Sequence, residues 1–299
     1  MALIPPGDES DLGWRHGGTP VTVPHESPIK GREGEDMSGT VIVTGAAGGM
    51  GRPVAARFAA QGRPLLLCDM NAERLEAVAA ELREGGVRIS TLAGDIAAPE
   101  FPQQLLDVLG DAALFALVHT AGLSPTMAEA PRILEVNYFA TERLVAALLP
   151  RFEEGGCAVL VSSMSAYLMA DAAMVAAVQD LVGGNGREGV DRFATNPGLG
   201  YTLSKRAVIG LVGREAAAFG ARGLRITSIA PGFIDTEMSR AEARASEQMV
   251  QMMGITPLGR QGLGDEIASV AEFLCSPGAS YVSGCDIKVD GGILGRLGL

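Results

Sequence analysis

Residues 41–54 read VIVTGAAGGMGRPV, and this stretch decides the fold. Its β-branched start predicts a buried strand, and its end opens a helical pattern. The glycines in between let the backbone approach a ligand closely, where free N–H groups and the positive end of the helix dipole favour an anion. A strand, a glycine-rich turn and a helix in this order predict a pyrophosphate-binding turn, although tight helix–strand packing alone would also explain the glycines.

The same alternation of short β-rich runs and amphipathic stretches continues to the end of the chain. It predicts an α/β protein, a single domain with a doubly wound, Rossmann-type parallel sheet of about seven strands. The predicted strands lie near 40–44, 64–69, 87–92, 113–119, 157–163, 223–229 and 285–289. The predicted helices occupy 49–62, 71–84, 99–109, 128–152, 199–220, 235–253 and 264–276.

Two segments depart from this pattern. Residues 1–36 contain five of the 16 prolines and show no apolar periodicity, so we interpret them as a flexible leader before a domain at 37–299. Residues 166–198 are too long for an ordinary strand-to-helix connection, and residues 171–182 within them carry an apolar helical stripe. We therefore predict a helical insertion near 166–198.

Composition excludes several classes of protein. The chain is 47% hydrophobic, its net charge is −11, and its apolar runs are too short to cross a bilayer. We therefore expect a cytoplasmic protein with neither a membrane nor a nucleic acid as partner. The four cysteines lack metal-ligand spacing, so we expect no metal site and interpret them as buried thiols.

Asp69 ends the second predicted strand, 18 residues after Gly51. A carboxylate at this place can accept both ribose hydroxyls of an adenosine, although a lone Asp there can also cap a helix. It would repel an added 2′-phosphate, and neither Gly48 nor Met70 supplies a basic side chain to hold one. Arg52 is a weaker candidate because it lies on the helix. The sequence therefore favours NAD over NADP.

Tyr201 and Lys205 lie four residues apart in a predicted helix, which puts a phenol and an ammonium on one face. The chain has only three lysines and four tyrosines, so this spacing is informative. A cation beside a phenol favours the phenolate, and we expect Lys205 to lower the pKa of Tyr201 towards neutrality.

Together, TGAAGGMG at 44–51 and YTLSK at 201–205 resemble the classical short-chain dehydrogenase/reductase family over about residues 37–292. The insertion, with AGLSP at 121–125, VNYF at 136–139 and SPGASYVSG at 276–284, resembles its bacterial 3α-hydroxysteroid dehydrogenase/carbonyl reductase branch. Coniferyl alcohol dehydrogenases are similar too.

The chain departs from the family pattern twice. The family's NNAG appears as HTAG at 119–122, which leaves open whether His119 has a role or is a packed core imidazole. Ser163 and Tyr201 lie 38 residues apart, far more than is usual in the family.

The resemblance implies four catalytic residues. Tyr201 would be the acid/base, Lys205 would stabilise its phenolate, Ser163 would donate to the substrate oxygen, and Asn137 would hold a water. The residues that the pattern assigns to the cofactor NAD are Gly45, Gly49, Met50, Gly51, Asp69, Asp95, Ile96, Ala121, Gly122, Tyr201, Lys205, Pro231, Gly232, Ile234 and Thr236.

The implied function is NAD-dependent interconversion of a hydrophobic secondary or aromatic alcohol, steroid-like or similar, and its carbonyl. Methionines in 235–255 suggest an apolar lid over a bulky substrate, or else an ordinary core-facing helix. The alternatives are other chemistry on the same fold, such as enoyl reduction or epimerisation, and a catalytically weak NAD-binding sensor or partner protein. We expect a homo-oligomer, and favour a dimer over a tetramer because the insertion would cover one of the family's usual contacts.

Overall fold

A seven-stranded parallel sheet forms the centre of the protein. The structure is a computed structural model that describes residues 39–299, so the predicted leader lies outside the described residues. The strand order is β3-β2-β1-β4-β5-β6-β7, and the predicted doubly wound fold is confirmed. The strands are β1 (Thr40–Thr44), β2 (Leu65–Asp69), β3 (Ile89–Ala93), β4 (Leu114–His119), β5 (Phe152–Val161), β6 (Arg225–Pro231) and β7 (Asp286–Val289).

Helices cover both faces of this sheet. In chain order the α-helices are α1 (Gly51–Ala60), α2 (Ala72–Arg83), α3 (Phe101–Leu109), α4 (Ala130–Leu134), α5 (Ala140–Leu148) and α6 (Ala172–Val182). They continue with α7 (Glu188–Asp191), α8 (Pro197–Gly220), α9 (Glu237–Ala245), α10 (Glu247–Gly254), α11 (Gly264–Cys275) and α12 (Ile293–Arg296).

Alternate residues of each strand feed two separate cores. In β1, Val41 and Val43 pack with α1, α2 and α11, whereas Ile42 packs on the opposite face with α3, α5 and α8. All three side chains are fully buried, as the period of a strand covered on both faces requires. The strand order reverses direction between β1 and β4, and ligands of such sheets bind outside the carboxyl ends of the strands at that point.

β5 begins earlier than predicted, at Phe152 rather than near residue 157. We expected a helix up to 152, but Gly155 adopts a positive φ of 80° and the pairing with β4 shifts register between Leu114 and Ala116. The extra residues at this bulge are left unpaired, so β5 continues through Gly155 although its pairing with β4 is interrupted there.

The predicted helix 128–152 is interrupted. A π-helical turn, Glu135–Phe139, separates α4 from α5, and a 3₁₀ turn, Leu149–Arg151, follows. The predicted helix 235–253 is also two helices, because Ser246 leaves the helical conformation and accepts a hydrogen bond from the backbone N–H of Met249 as the cap of α10. Competition by a local serine cap is the physical reason for this break.

The insertion folds back onto its own subunit. After a 3₁₀ turn, Met164–Tyr167, it forms α6 and α7, and α6 packs against α8. Val178 and Leu181 of the predicted stripe are buried, while Met174 and Val182 pack at the edge of the same core. Asp171 caps α6 by accepting from the backbone N–H of Ala173 and Met174.

Three cysteines, Cys68, Cys157 and Cys275, are buried as expected, but the prediction is wrong for Cys285, which is exposed just before the edge strand β7.

Across residues 39–299, no helix is both long and apolar enough to span a membrane. Within the same residues, His, Cys, Asp and Glu side chains form no group arranged to hold a metal ion.

Candidate active site

The glycine-rich turn between β1 and α1 is built so tightly that side chains do not fit. Gly45 has a φ of 67°, and a Cβ there would lie 2.8 Å from the backbone nitrogen of Ala121. A Cβ on Gly51 would collide with the carbonyl oxygen of Gly45. Met50 is the N-cap residue of α1. Among the described residues, its side chain accepts no hydrogen bond from the first backbone N–H groups of the helix. The turn therefore presents bare backbone at a helix N-terminus, as an anionic group requires.

Asp69, at the end of β2, is held by two backbone donors. Its Oδ2 accepts from the N–H of Ala47 at 3.0 Å, and its Oδ1 accepts from the N–H of Asn71 at 3.0 Å. The carboxylate thus tethers the glycine-rich turn as well as standing at the predicted ribose position.

Sequence reasoning missed a basic side chain beside Asp69. Arg74 of α2 donates to the carbonyl oxygen of Ala47 at 3.4 Å and pairs with Glu237 at 3.1 Å. Arg52, the weaker candidate from the sequence, instead pairs with Glu81 on α2. Only the fold brings α2 back over the turn, so spacing along the chain gave no signal for Arg74.

Asp95 and Ile96 follow β3. Asp95 accepts from the N–H of Ala97 at 2.9 Å and pairs with Arg132, while Ile96 is buried in the core. The Asp95 carboxylate is therefore engaged by protein groups at the position where the family pattern has an adenine contact.

A cavity of about 370 Å³ opens at the carboxyl end of the sheet and collects most of the predicted side chains. Ser163, Tyr201 and Lys205 line it together, and the Ser163 hydroxyl accepts a hydrogen bond from the backbone N–H of Ser165 at 3.1 Å. Of the predicted cofactor residues it is also lined by Met50, Gly122, Pro231, Gly232, Ile234 and Thr236. Gly45, Gly49, Gly51, Asp69, Asp95, Ile96, Ala121 and Asn137 stand outside its lining.

The backbone packs closely beside two cavity residues, Thr236 and Gly232. Thr236 caps α9 by accepting from the N–H of Ser239 at 3.1 Å, and a Cβ on Gly49 would lie 2.6 Å from the Thr236 methyl carbon. A Cβ on Gly232 would lie 2.6 Å from the Cα of Asp290. Both glycines are therefore needed for the backbone to close around one side of the cavity.

The expected low pKa of Tyr201 is wrong for this structure. Burial, with a contribution from the Glu242 carboxylate, raises the pKa of Tyr201 to about 12, although the nearby Ser163 hydroxyl opposes this rise. Burial also lowers the pKa of Lys205 to about 8. The Lys205 ammonium donates to the carbonyl oxygen of Val161 at 2.8 Å and lies 5.7 Å from the Tyr201 ring centroid. Desolvation thus outweighs the cation that the four-residue spacing brings near.

Asn137 lies behind the cavity, in the middle of the π-helical turn. Its side chain accepts from the N–H of Leu123 at 2.7 Å and donates to the Leu123 carbonyl at 3.0 Å and the Ser204 hydroxyl at 3.2 Å. Its own carbonyl oxygen accepts from the Thr141 hydroxyl at 2.9 Å. These contacts fix the loop after β4 to the helix that carries Lys205, and a water-holding role stays a prediction.

His119 is a connecting residue in the interior. Its Nδ1 lies 2.8 Å from the Thr44 hydroxyl and its Nε2 lies 2.8 Å from the Thr141 hydroxyl. Because Thr141 donates its proton to Asn137, it must accept from Nε2–H, which leaves Nδ1 to accept from Thr44. Burial and the nearby Lys205 lower the pKa of His119 to about 3, so the imidazole is neutral.

The helices α9 and α10 cover the cavity. Met238, Met249 and Met252 line it, as the lid interpretation requires. Glu242, also in the lining, was missed, because its place on a charged helix resembles any solvated carboxylate.

Two family models match the chain. The one described as "short chain dehydrogenase" matches residues 39–176, and the one described as "Enoyl-(Acyl carrier protein) reductase" matches residues 189–294. Among curated proteins, the 3-alpha-hydroxysteroid dehydrogenase/carbonyl reductase of Comamonas testosteroni is 34% identical over 230 residues, covering 73% of this chain and 89% of that protein.

Solved structures agree with this family. A short-chain dehydrogenase/reductase described as glucose/ribitol dehydrogenase from Brucella melitensis is 28% identical, with a TM-score of 0.70 over 86% of this chain and 96% of that one. A short-chain dehydrogenase from Burkholderia cenocepacia in complex with NADP is 25% identical, with a TM-score of 0.69 over 86% and 98%. The glycine-rich turn, the Ser163–Tyr201–Lys205 cluster and these matches agree, and the chain belongs to the short-chain dehydrogenase/reductase family of oxidoreductases.

Proposed function

We propose that the protein is an NAD-dependent oxidoreductase that interconverts a hydrophobic secondary or aromatic alcohol and its carbonyl. The observation that carries this proposal is the cluster of Ser163, Tyr201 and Lys205 in the wall of an otherwise largely apolar cavity. The name of the Comamonas testosteroni relative, a hydroxysteroid dehydrogenase and carbonyl reductase, agrees with this substrate class.

The residues present fit a dinucleotide. The turn at Gly45–Gly51 is a cradle that a Cβ would fill, and its bare helix N-terminus suits a pyrophosphate. The adenosine would lie against Asp69, Asp95 and Ile96, and the nicotinamide half against Ala121, Gly122, Pro231, Gly232, Ile234 and Thr236. When bound, the nicotinamide ring supplies or accepts the hydride.

Four residues of the protein have a task in the reaction. Ser163 donates a hydrogen bond to the substrate oxygen, where negative charge develops. Tyr201 gives its phenolic proton to that oxygen in carbonyl reduction and takes it back in alcohol oxidation. Lys205 orients the cofactor ribose, and its ammonium stabilises the phenolate when Tyr201 has given up its proton. Asn137 positions Lys205 through its hydrogen bond to the hydroxyl of Ser204, the preceding residue of α8.

NAD is the proposed cofactor because Asp69 would repel a 2′-phosphate. Arg74 is the observation that favours the alternative, since a guanidinium beside the turn can pair with such a phosphate. The ion pair with Glu237 partly neutralises the Arg74 guanidinium, which leaves less positive charge for a 2′-phosphate and supports NAD. The NADP complex of the Burkholderia cenocepacia protein shows that the alternative occurs among related proteins.

The test is an absorbance measurement at 340 nm with purified protein, NAD or NADP, and a panel of steroid, terpenoid and aryl alcohols. We expect NADH to form with members of this panel. Tight NADH binding without turnover on any of them, or on the corresponding ketones, would contradict the proposed activity and favour an NAD-binding sensor.

The remaining proposals concern the protein's surroundings. We propose a cytoplasmic homodimer with neither nucleic acid nor a membrane as partner. The acidic net charge supports the first exclusion, and the position of α6 on α8 supports the dimer, because it covers a face that the family uses for a second contact.

A further inference from the structure

Glu242 is a carboxylate in the wall of an apolar cavity. It lies on α9 and shares this cavity with Tyr201 and with the methionines Met238, Met249 and Met252. It is close enough to Tyr201 for its charge to act on the phenol. The mechanism proposed above gives this side chain no task.

The protein satisfies Glu242 only in part. The nearby hydroxyl of Ser124, a residue buried in the loop after β4, acts to lower the pKa of the Glu242 carboxyl group, and this hydroxyl also lies 3.0 Å from the Thr126 hydroxyl. Within residues 39–299, none of the ion pairs involves Glu242, and burial raises the pKa of its carboxyl group. A carboxylate has two oxygens and room for several donors, so one hydroxyl leaves acceptor capacity directed at the cavity.

A purely apolar substrate would make this arrangement unfavourable. Filling the cavity expels water, and a carboxylate that loses its water without gaining a donor is destabilised. A substrate with a donor at the matching place would replace that water. A partly buried polar group that faces the ligand therefore discriminates between two otherwise similar ligands more strongly than apolar contact does.

We infer that the substrate carries, besides the reacting alcohol or carbonyl, a second group that donates a hydrogen bond to Glu242, either a hydroxyl or a protonated amine. This inference rests on the proposed function, since it assigns one further feature to the substrate of that same site. The apolar skeleton between the two polar groups contacts the methionines of α9 and α10.

Matched alcohols test the inference. One set is 1-phenylethanol with its para-hydroxy and para-aminomethyl derivatives, and another is cyclohexanol with 4-aminocyclohexanol, which together vary the donor and its distance. We expect wild-type kcat/KM to favour a donor-bearing member over its parent by about tenfold to a hundredfold. A preference for the amine or for the hydroxyl identifies the donor.

Glu242→Gln is the decisive variant. It should remove most of the preference for a protonated amine and reduce that for a hydroxyl. Because loss of the charge also acts on Tyr201, rates for all members will change together, whereas their ratio reports on recognition. Glu247→Gln, the same change at an exposed position of α10, is the matched control and should keep the wild-type ratio.

Ser124→Ala separates recognition from a latch that holds α9 to the loop. If Glu242 recognises substrate, the ratio should persist in Ser124→Ala. If Ser124→Ala loses the ratio as fully as Glu242→Gln does, Glu242 acts as a latch and the inference is overturned. A wild-type ratio near one in both sets of alcohols would also overturn the inference.

Calorimetric titration of the same compounds into the NADH complex gives a readout without turnover. Glu242→Gln should weaken binding of the amines about tenfold relative to their parent alcohols. If no alcohol is oxidised, the proposed function fails, while the calorimetric comparison still decides whether Glu242 binds a donor.

Discussion

Among single residues, Tyr201 combines a raised pKa with a place beside Ser163 in the cavity wall. A phenol with a pKa of about 12 keeps its proton at neutral pH and is therefore ready to act as an acid in carbonyl reduction. Alcohol oxidation has the opposite requirement, because the phenol must first lose that proton.

Tyr201→Phe should greatly reduce turnover without affecting cofactor binding. The change deletes one hydroxyl and no packing volume, so kcat should fall by roughly 10²–10⁴. Calorimetry with NADH should give an unchanged dissociation constant. A kcat near that of wild type would move the acid/base role to another group and contradict the assignment.

The pH dependence of oxidation tests the raised pKa. Since the pKa of Tyr201 is about 12, the phenolate fraction grows tenfold per pH unit through the neutral and mildly alkaline range, and kcat for oxidation should rise throughout it. A plateau close to pH 7 would instead agree with the sequence-based expectation that Lys205 lowers this pKa towards neutrality. Initial rates measured with saturating alcohol decide between the two.

Asp69 and Arg74 should act in opposite directions on cofactor choice. Asp69→Ala removes an acceptor of the ribose hydroxyls and also the repulsion of a 2′-phosphate. It should lower kcat/KM with NAD by an amount that corresponds to about 1–3 kcal/mol. It should also reduce the discrimination between NAD and NADP. Arg74→Ala should leave the preference for NAD in place. If wild type prefers NADP and Arg74→Ala loses that preference, the electrostatic argument from Asp69 is wrong.

At the scale of elements, His119 joins three parts of the fold. Its two ring nitrogens bridge Thr44 at the end of β1 and Thr141 at the start of α5, while the residue itself ends β4. Thr141 also donates to the carbonyl oxygen of Asn137, in the middle of the π-helical turn before α5. His119 therefore connects the glycine-rich turn to the helix that bears Asn137.

His119→Asn should destabilise the protein in a pH-dependent way. The folded pKa of His119 is about 3, below the unfolded value of 6.5, so the unfolded state binds more protons between these values. Its contribution is fully present above pH 6.5 and is lost as pH falls, by up to about 1.4 kcal/mol per unit. Shorter Asn cannot bridge both threonines, which should cost about 1–3 kcal/mol at pH 7.

Denaturant unfolding at several pH values measures both effects. The difference in free energy of unfolding between wild type and His119→Asn should be largest near pH 7 and should shrink towards pH 4.5. If this difference in free energy of unfolding does not change with pH, the pKa of His119 is not lowered in the folded protein, and the prediction is wrong.

At the scale of the whole molecule, the insertion decides which surfaces are free. Because α6 packs on α8 of its own subunit, the protein should form a dimer of about 62 kDa, twice the 30.9 kDa of one chain. Light scattering after size exclusion measures this mass. Replacing 170–196 with a short loop should uncover α8 and allow a tetramer. A wild-type tetramer that becomes a dimer on this replacement would show that the insertion builds the interface.

The order of the strands and helices along the chain, and the place of the glycine-rich turn, could be predicted from the sequence alone. Strands covered on both faces are continuous apolar runs, and glycine-rich turns have a fixed position between strand and helix, so both are visible locally. For the same reason Tyr201 and Lys205 could be paired by their spacing in one helix. The bounds that failed lie where local signals compete, at the bulge around Gly155, the π-helical turn and the serine cap at Ser246.

Only the tertiary structure decided the environment of these residues. Electrostatic effects depend on burial and on neighbours distant in sequence, which is why Tyr201 has a raised pKa despite Lys205. Arg74 reaches the glycine-rich turn and Glu242 reaches the cavity because packing brings α2 and α9 there. His119 acquires its partners 75 residues before it and 22 after it through the pairing of β4 with β1 and the packing of α5. Distances of this kind are set by the packed sheet, and spacing along the chain does not encode them.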